Sequence, residues 1–374
     1  MLSNTSFFNY TWSQDLYHLL ILVFFVFTRA SIANSSGYIE DFNLSYQFSS
    51  GFFKVNDKFD NSELIRTNFS LRSKKNVNLN FSYHSAFTFS FLNGYSSSRF
   101  GSDNYDQGFN LDEVYGFYQG LNFFALKFGA INQEFHKNEL LISNIPFPAL
   151  VLELTPLQDK TIQIILEKAI PTSRSLNSTA VKKEETPSFL SGSIFTHFSP
   201  LLGFYINFSA SYFRFQNLPH KVAYDSGFHG NTSSGFENNS LFEFDYEGVA
   251  SGANSEFTYK GIKFGLEAKF IRNHRAKESY GEGRYFSLNL EPNDFLELNV
   301  FHIYNESDSS LALYNSTALG HNNVKGLGGG ILFKTKKNIN YSLRLLTTDI
   351  ISDSAFRGKS KQFSISMETP YANF

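Results

Sequence analysis

The 374-residue sequence contains no cysteine. Without cysteine the chain can form neither a disulfide framework nor a thiolate metal site, a composition compatible with export through an oxidising compartment. An excess of basic residues is missing as well, since 32 lysines and arginines face 34 aspartates and glutamates and the formal net charge is −2. Proteins that bind nucleic acid usually carry a basic stripe, so we expect no nucleic-acid partner.

Long apolar runs are missing too. The longest, Leu19 to Phe27, is shorter than the roughly 20 apolar residues of a helix that crosses a bilayer. Together with the small residues Ser31 and Ala33 that follow it, this run is typical of an export signal. We predict that residues 1–33 form a cleaved signal peptide that exports the chain through the inner membrane. An uncleaved anchor is the alternative, because the segment before the run has no lysine or arginine.

Signatures of covalent chemistry are scarce. The sequence has no Gly-x-Ser-x-Gly elbow of the kind that carries a nucleophilic serine. The histidines that could act as bases, His84, His197, His302 and His321, are isolated from one another, which is more typical of residues that line a wet surface. We therefore expect that the protein is not an enzyme and that it holds no cofactor.

Two motifs resemble ligand sites only superficially. The run Gly326–Gly330 lacks the Lys-Ser/Thr and the helix of a phosphate-binding loop, and it is better interpreted as strand glycines that permit bending or close approach. The acidic stretch with Asp103, Asp106, Asp112 and Glu113 offers oxygen ligands of the type that suit Ca²⁺, but its spacing differs from that of a helical calcium loop. We expect ordinary solvated carboxylates there and no bound metal.

Aromatic residues are abundant, with 44 phenylalanines and 20 tyrosines. The mean hydropathy is nevertheless −0.23, because polar and charged residues fill the positions between them. This mixture suits neither an ordinary soluble core nor a disordered polymer. Its arrangement along the chain therefore decides what it means.

The arrangement is a strict alternation, clearest in Val77–Phe91. One side of this segment carries Val77, Leu79, Phe81, Tyr83, Phe87, Phe89 and Phe91. The other carries Asn78, Asn80, Ser82 and His84. Side chains of a strand point alternately to its two faces, so this segment has one apolar and one wet face over about the length of a tilted membrane strand.

The same alternation recurs in six further segments. Their apolar positions are Phe42, Leu44, Tyr46 and Phe48; Ile65, Thr67, Phe69 and Leu71; Phe204, Ile206, Phe208, Ala210 and Tyr212; Ile262, Phe264, Leu266, Ala268 and Phe270; Ile339, Tyr341, Leu343 and Leu345; and Phe363, Ile365 and Met367. Such a pattern predicts an all-β transmembrane antiparallel barrel over residues 34–374, with lipid outside and water inside.

The connections alternate in length, as the short periplasmic turns and long external loops of a bacterial outer-membrane barrel do. Short links are predicted near 73–75, 119–121, 156–160, 199–201, 260–261, 291–294 and 335–337. Longer ones are predicted near 55–60, 92–110, 132–148, 170–187, 216–239, 273–281, 305–323 and 349–359. Seven turns and eight loops imply 16 strands.

The strand number depends on how Leu241–Tyr259 is interpreted. We treat it as one strand interrupted by a bulge near Gly248 or Gly252, because a separate hairpin would put a long loop on the turn side. Counts of 14 or 18 strands are the alternatives. A second break in phase falls at Pro370, which must mark a bulge or an early end of the last strand.

A barrel of about 16 strands leaves an aqueous lumen, whereas a barrel of eight is filled by its own side chains. If the apolar faces meet lipid, twelve titratable residues line that lumen: Arg66, Arg72, His84, Lys127, Glu153, Glu167, Lys263, Glu267, Lys269, Glu297, Arg344 and Glu368. Stability alone requires charged residues on the wet face. Cations and carboxylates in similar number predict a pore with weak charge preference.

With these strands and loops, and with the tight Gln-Gly-Leu-Asn turn within Asp112–Gln133, the chain resembles the bacterial porins of Gram-negative outer membranes. The resemblance is architectural, covers the whole mature chain and identifies no particular porin family. It implies a water-filled channel for passive diffusion of small hydrophilic solutes and ions. It also implies an outer-membrane bilayer, a barrel-assembly machinery and a homotrimer as partners. A surface barrel with a closed lumen and an adhesion, receptor or structural role is the alternative.

The resemblance further implies that the third external loop folds inward and constricts the channel. Here that loop is Asn132–Pro148, and Glu134, Lys137 and Glu139 are its candidate constriction residues. The loop also contains Leu140, Leu141, Ile142, Ile145 and Phe147, which are unusual for a solvated loop. These apolar residues either pack against the inner wall or form a lid or a contact between protomers.

The last residue, Phe374, matches the terminal phenylalanine of barrel precursors, and the resemblance implies that it acts as an assembly signal. Phe374 lies out of phase with Phe363, Ile365 and Met367, so Pro370 must mark a bulge or the strand must end early. A disordered terminus is the alternative.

Overall fold

The structure, a computed structural model, describes residues 42–58, 60–98, 108–121, 123–157, 161–171, 184–201, 203–354 and 357–373. The predicted signal peptide and Phe374 lie outside the described residues, and both stay predictions. Among the described residues, no helix is long and apolar enough to cross a membrane.

Sixteen long strands form one closed antiparallel barrel. In chain order they are β1 Phe42–Asn56, β2 Asp60–Asn76, β3 Phe81–Ser98, β4 Gly108–Leu121, β5 Phe124–Asn132, β6 Pro146–Leu154, β7 Ile162–Ala169, β8 Ser188–Leu201, β9 Phe204–Gln216, β10 Tyr246–Tyr259, β11 Ile262–Asn273, β12 Glu282–Asn293, β13 Leu296–Asn305, β14 Val324–Lys334, β15 Asn340–Ile350 and β16 Ser360–Glu368. β1 pairs with β16 and so closes the wall. The predicted fold class and strand number are confirmed.

The connections at the two ends of the barrel differ in length, as predicted. At the turn end they span two to seven residues, and at the loop end they reach 29 residues between β9 and β10. Two predictions are wrong. The first outer connection, 57–59, has only three residues, and the turn predicted near 73–75 lies at 77–80 because β2 continues to Asn76. β1 extends to Asn56 at the loop end, well beyond the apolar segment that ends at Phe48, and β2 begins there with the polar residues Asp60–Glu63.

The turn between β10 and β11 shows how sequence sets a two-residue connection. Both turn residues have a positive φ, 50° at Lys260 and 82° at Gly261. Two positive values are the requirement of the type I′ hairpin turn, whose twist matches that of the strands it joins. Glycine meets this requirement without strain at the second position.

The outer face of the barrel is apolar. Large exposed side chains stand on it all around the wall, among them Ile65, Phe91, Leu150, Ile194, Leu266, Val300, Leu327, Leu345 and Ile365. A contiguous belt of this kind is far larger than the apolar patches of soluble proteins, and it is the surface that a bilayer covers in a barrel.

The segment Leu241–Tyr259 forms one barrel strand, but not for the predicted reason. β10 runs from Tyr246 to Tyr259 in unbroken register with both neighbours, so the predicted bulge near Gly248 or Gly252 is wrong. Leu241–Phe242 pairs instead with Ser233–Ser234 in the loop, outside the wall. Gly248 is needed because the backbone of β11 approaches too closely for a side chain.

The break at Pro370 is a bulge. Ser49 faces Glu368, but Tyr46 faces Ala372, so the chain gains one residue against β1 between these pairs. Pro370 has no N–H to donate to the ladder and therefore fits an unpaired position. Pairing then resumes in the short strand Ala372–Asn373.

The two superficial motifs also lie in the wall. Gly326–Gly330 belongs to β14, where the ring of Phe301 occupies the space that a side chain at Gly328 would need. Asp112 and Glu113 belong to β4, at a bulge where Glu113 faces Ala86 and Leu111 faces Phe87 of β3, so that Asp112 is the extra residue. Asp103 and Asp106 lie outside the described residues. Among the described residues, no group of three potential metal ligands occurs.

Three loops at the outer end contain structure of their own. The third loop (133–145) begins with the 3₁₀ turn Gln133–His136. The fifth loop (217–245) holds the helix α1 His220–Phe228, the 3₁₀ turn Glu237–Asn239 and the short ladder described above. The seventh loop (306–323) contains the 3₁₀ turn Thr317–Leu319.

Candidate functional site

The lumen is lined by the wet faces of the strands. Directly paired residues of adjacent strands point to the same side, so the inner face can be followed from strand to strand around the wall. By this register all twelve candidate lumen residues lie on the inner face: Arg66, Arg72, His84, Lys127, Glu153, Glu167, Lys263, Glu267, Lys269, Glu297, Arg344 and Glu368. Whether they act on permeating ions stays a prediction.

Several of these charges form ion pairs along the wall. Lys127 of β5 pairs with Glu153 of β6, and the Lys269 Nζ lies 2.9 Å from a Glu267 carboxylate oxygen. Near the turn end Glu297 accepts from Lys334 at 3.1 Å. Paired charges of opposite sign largely cancel at a distance, so the wall presents local dipoles more than a net field.

Other inner cations lie over aromatic rings. The guanidinium of Arg72 is 4.2 Å from the ring centre of Tyr371, and that of Arg344 is 4.8 Å from the ring centre of Phe301. The ring of His84 stacks on Tyr115 at 4.8 Å. These contacts fix the direction of long side chains that would otherwise sweep through the lumen.

The third loop enters the lumen through a buried polar contact. The Nε2 of His136 lies 3.0 Å from Glu167 of β7, and neither side chain is exposed to solvent. The Ser191 hydroxyl donates to the same carboxylate oxygen at 3.1 Å. Removing one partner would leave a buried polar group without its hydrogen bond, so this contact holds the loop to the wall.

Further along, the third loop reaches the far wall. The Asn138 amide donates to the backbone carbonyls of Ser251 and Phe270 at 3.2 and 3.3 Å, on β10 and β11. The next residue, Glu139, pairs with Lys269. The loop therefore crosses part of the lumen and ends its crossing on an inner-wall lysine.

The three candidate constriction residues occupy different positions. Glu134 and Lys137 are exposed in and after the 3₁₀ turn, and Lys137 lies 5.6 Å from the ring centre of Phe195 on the inner wall. Glu139 is partly buried against Lys269. All three belong to the inward-folded loop, and their role in constriction stays a prediction.

The apolar residues of the third loop pack against the inner wall, which was the first of the two alternatives. Leu140, Leu141 and Ile142 are at most 1% exposed. They belong to a core that also contains side chains of the fifth and seventh loops and of the wall: Phe147, Phe189, Phe213, Val222, Tyr246, Ile271, Ile303, Leu311, Tyr314 and Leu346. The core lies inside the barrel, between loops and strands.

Polar contacts join the fifth and seventh loops. The buried Asn231 amide donates to the carbonyls of Ser307 and Ser310 at 2.6 and 2.8 Å, and it accepts from the Ala312 N–H at 2.7 Å. Three hydrogen bonds from one side chain leave little freedom to either loop. The Ser310 hydroxyl also donates to the Leu140 carbonyl at 2.6 Å, which connects the third loop to the same unit.

A buried carboxylate lies at the centre of this contact. Asp308 accepts from the Tyr246 hydroxyl at 2.9 Å and from the N–H and hydroxyl of Thr232 at 3.0 and 2.6 Å. Burial raises the pKa of Asp308, although the hydrogen bonds from Thr232 oppose the rise. These donors take the place of water around the carboxylate.

Two histidines meet where the fifth and seventh loops touch. The ring centres of His229 and His321 are 4.4 Å apart, and the Asn322 N–H donates to the His229 carbonyl at 3.1 Å. Burial, together with a smaller contribution from the Arg357 guanidinium, lowers the pKa of His229 to about 4. Burial also lowers the pKa of His321 well below its usual value, with an added contribution from His229.

The lumen therefore has two sectors. In the filled sector, the inner faces of β6–β15 near the loop end are covered by the third, fifth and seventh loops. In the open sector, the inner faces of β1–β3 and β16 contribute no residue to the two apolar clusters of the described residues. The open sector carries hydroxyls and amides in contact with one another, such as Ser70 with Thr88 and Asn68 with Ser90, and the exposed cations Arg66 and Arg72.

Sequence reasoning missed the fifth and seventh loops as part of the site. In the seventh loop, Glu306–Ser310 is polar and yet buried. Its composition is that of a solvated loop, so nothing in the sequence indicated that it is buried. It also missed Asp112 and Glu113 as wall residues, because the bulge in β4 shifts the phase of the strand there.

Comparison with protein-family models and with curated sequences finds no match. Solved structures do match. Pseudomonas putida OprB superposes with a TM-score of 0.60 at 11% identity, over 88% of this chain and 93% of that chain. A BenF-like porin from Pseudomonas fluorescens gives 0.54 at 10%, over 90% and 100%. Salmonella typhi OmpF gives 0.53 at 7%, over 88% and 97%.

The chain has a porin-like barrel fold. At identities of 7–11% the likeness extends to the fold and not to particular residues. The porin-like architecture that the sequence indicated is confirmed.

Proposed function

We propose that this porin-like barrel is an outer-membrane channel through which small hydrophilic solutes and ions diffuse passively, and that it is not an enzyme. The observation that carries the proposal is the open sector. A 16-stranded wall is wide enough for an aqueous lumen, and along β1–β3 and β16 its inner face is mainly polar and, among the described residues, contributes nothing to the loop core, with Arg66 and Arg72 exposed.

The resemblance to porins supports the setting as well. The apolar belt fits a bilayer, and one of the structures that superpose on this chain is a BenF-like porin. We propose the outer membrane as the location, a barrel-assembly machinery as the insertion partner and a homotrimer as the assembly. The constriction would be formed by the third loop, with Glu134, Lys137 and Glu139 beside the permeation path.

The test is reconstitution of the purified protein in planar lipid bilayers. We expect stepwise, ohmic conductance with a weak preference between K⁺ and Cl⁻, because inner charges of both signs are largely paired. Liposome swelling with sugars of increasing size would then give the size limit. Membranes that contain folded, heat-modifiable protein and show no conductance would contradict the proposal.

A second candidate function is a surface barrel with a closed lumen. The loop core favours it, because three loops share one apolar and hydrogen-bonded unit inside the barrel. Such a barrel would present the fifth loop, with the 67% exposed Phe236, to partners outside the cell. The same bilayer measurement separates the two candidates, since a closed barrel gives no conductance steps while the protein remains folded.

A further inference from the structure

The outer face of the barrel carries a groove over β8–β12. Its floor consists of the small residues Ala210, Ser251, Ala253 and Ala268, and Phe208 and Phe286 stand at its sides. The groove encloses about 650 Å³. A second groove of about 470 Å³ lies beside it over Gly192, between the leucines Leu150, Leu152, Leu166 and Leu190. Both grooves are lined mainly by apolar atoms.

Basic residues stand at the loop end of these grooves and point outward. Arg272 and Arg284 share the carboxylate of Glu282. Arg275 donates to Glu247 at 2.7 and 2.9 Å, and the Arg214 Nε lies 3.8 Å from the same carboxylate. We call these four arginines and two glutamates the rim cluster. Within it the cations exceed the carboxylates by two.

The exposure of the rim cluster is uneven. The side chains of Arg275 and Arg284 are 54% and 51% exposed, whereas those of Glu247 and Glu282 are 22% and 21% exposed. The carboxylates therefore hold the arginines in place from below, while much of each guanidinium remains open to the outside. Open guanidinium edges are donors of the geometry that phosphate oxygens accept.

The rim cluster and the larger groove are continuous. Arg284 lines the groove and is directly paired with Phe270, another lining residue. The second groove likewise contains Lys168 at its loop end. A single amphipathic molecule can therefore place a charged head on the arginines and an apolar chain on the alanine floor.

We propose that the rim cluster and the two grooves form a binding site for a phosphorylated, multiply acylated lipid of the leaflet on the loop side. The phosphate accepts from Arg272, Arg284 and their neighbours, and the acyl chains lie in the grooves. The proposal rests on the outer face lying in a bilayer, and it is independent of whether the lumen conducts.

The experiment is native mass spectrometry of the full chain folded in detergent, with lipids added at matched concentrations. The probes are dioleoyl phosphatidic acid, dioleoyl phosphatidylcholine and inorganic phosphate. We expect retention of phosphatidic acid well above that of phosphatidylcholine, and no retention of inorganic phosphate, because phosphate alone lacks the apolar part.

Two variants test the two halves of the site. R272Q/R284Q removes two guanidiniums, and we expect the apparent affinity for phosphatidic acid to fall about 30-fold, since one basic side chain near an anionic lipid contributes roughly fivefold. The matched control K54Q/K361Q removes two outward cations from β1 and β16, away from the grooves, and should change nothing. A253F fills the groove floor, whereas A130F adds the same ring to the outer face of β5 as its control.

Equal loss of lipid in R272Q/R284Q and in K54Q/K361Q would overturn the proposal, because the attraction would then be general. Equal retention of phosphatidic acid and phosphatidylcholine would also overturn it. Unchanged lipid binding in A253F would overturn the assignment of the groove to an acyl chain. Retention of free phosphate as strong as that of phosphatidic acid would show that the site binds anions only. Heat-modifiable mobility on gels verifies that every variant is folded.

Discussion

The open and the filled sector of the lumen are built from the same kind of strand, but different groups cover their inner faces. In the open sector, hydroxyls and amides of β1–β3 hydrogen-bond to one another, as Ser70 and Thr88 do at 2.8 Å. In the filled sector, inner positions such as Phe189, Phe213 and Ile303 are fully buried because loops cover them. The difference teaches that the inner face of a barrel strand is wet only where no loop folds back onto it.

The difference between the two sectors is tested most directly by deleting the part of the third loop that fills the lumen. Deleting Asn138–Asn144 takes away Leu140, Leu141 and Ile142 and the Glu139 contact with Lys269. We expect the single-channel conductance to rise about twofold, because the constriction is widened. An unchanged conductance in a folded variant would show that the third loop does not limit the current.

The attachment of the third loop provides the next largest effect. E167A removes the buried hydrogen-bond partner of both His136 and Ser191, and leaving these groups unsatisfied is expected to destabilise the loop-docked state by about 3 kcal/mol. Protease cleavage within the third loop, followed over time, measures this loss. The control is E297A, whose partner Lys334 is 34% exposed, and which should cost less than about 1 kcal/mol. Equal protection in the two variants would contradict a special role of the His136 contact.

Acid should loosen the filled sector and leave the open sector unchanged. His229 and His321 have a lowered pKa when the loops are docked, and a pKa near 6.5 when the loops open. Between pH 6.5 and about 4 the opened loops bind protons that the docked loops exclude, so docking weakens as the pH falls through this window. For His229 alone, this protonation weakens the docking of the loops by about 3 kcal/mol.

This pH dependence is measured by proteolysis of the fifth and seventh loops with an acid-stable protease at a series of pH values. Asp308 lies in the same interface with a raised pKa, so its protonation in acid favours the docked state and opposes the histidines. The variant H229Q/H321Q isolates the histidine contribution. In this variant the resistance of the two loops to proteolysis should no longer decline between pH 6.5 and 4. An identical pH profile in the wild type and the variant would refute the assignment to the two histidines.

The smallest effect concerns ion selectivity. R72Q removes a cation of the open sector, and we expect the permeability ratio of Cl⁻ to K⁺ to fall about twofold. K269Q removes an inner cation of the filled sector that is 7% exposed and paired with Glu139 and Glu267, and the ratio should change less. Reversal potentials in a salt gradient give both values. A larger shift in K269Q would place the ion path on the other side of the lumen.

The wall was predictable from sequence because its signal is local. Alternation within Val77–Phe91 is visible without knowledge of any other segment, and strand pairing follows chain order. The loop core was not predictable, because contacts such as Asn231 with Ser310 join positions 79 residues apart with no period. The prediction of a bulge near Gly248 was wrong for the same reason, since the need for glycine there comes from the backbone of β11.

The pairing of β1 with β16 has a consequence for how the barrel forms. This seam joins residues such as Ser49 and Glu368, which lie at opposite ends of the described chain, so it is the contact of highest sequence separation and the most expensive in loop-closure entropy. Until the seam forms, both terminal strands are unpaired edges of an open sheet that can pair with another chain. Closure is therefore expected to be the last and slowest step of folding, after all other hairpins have assembled.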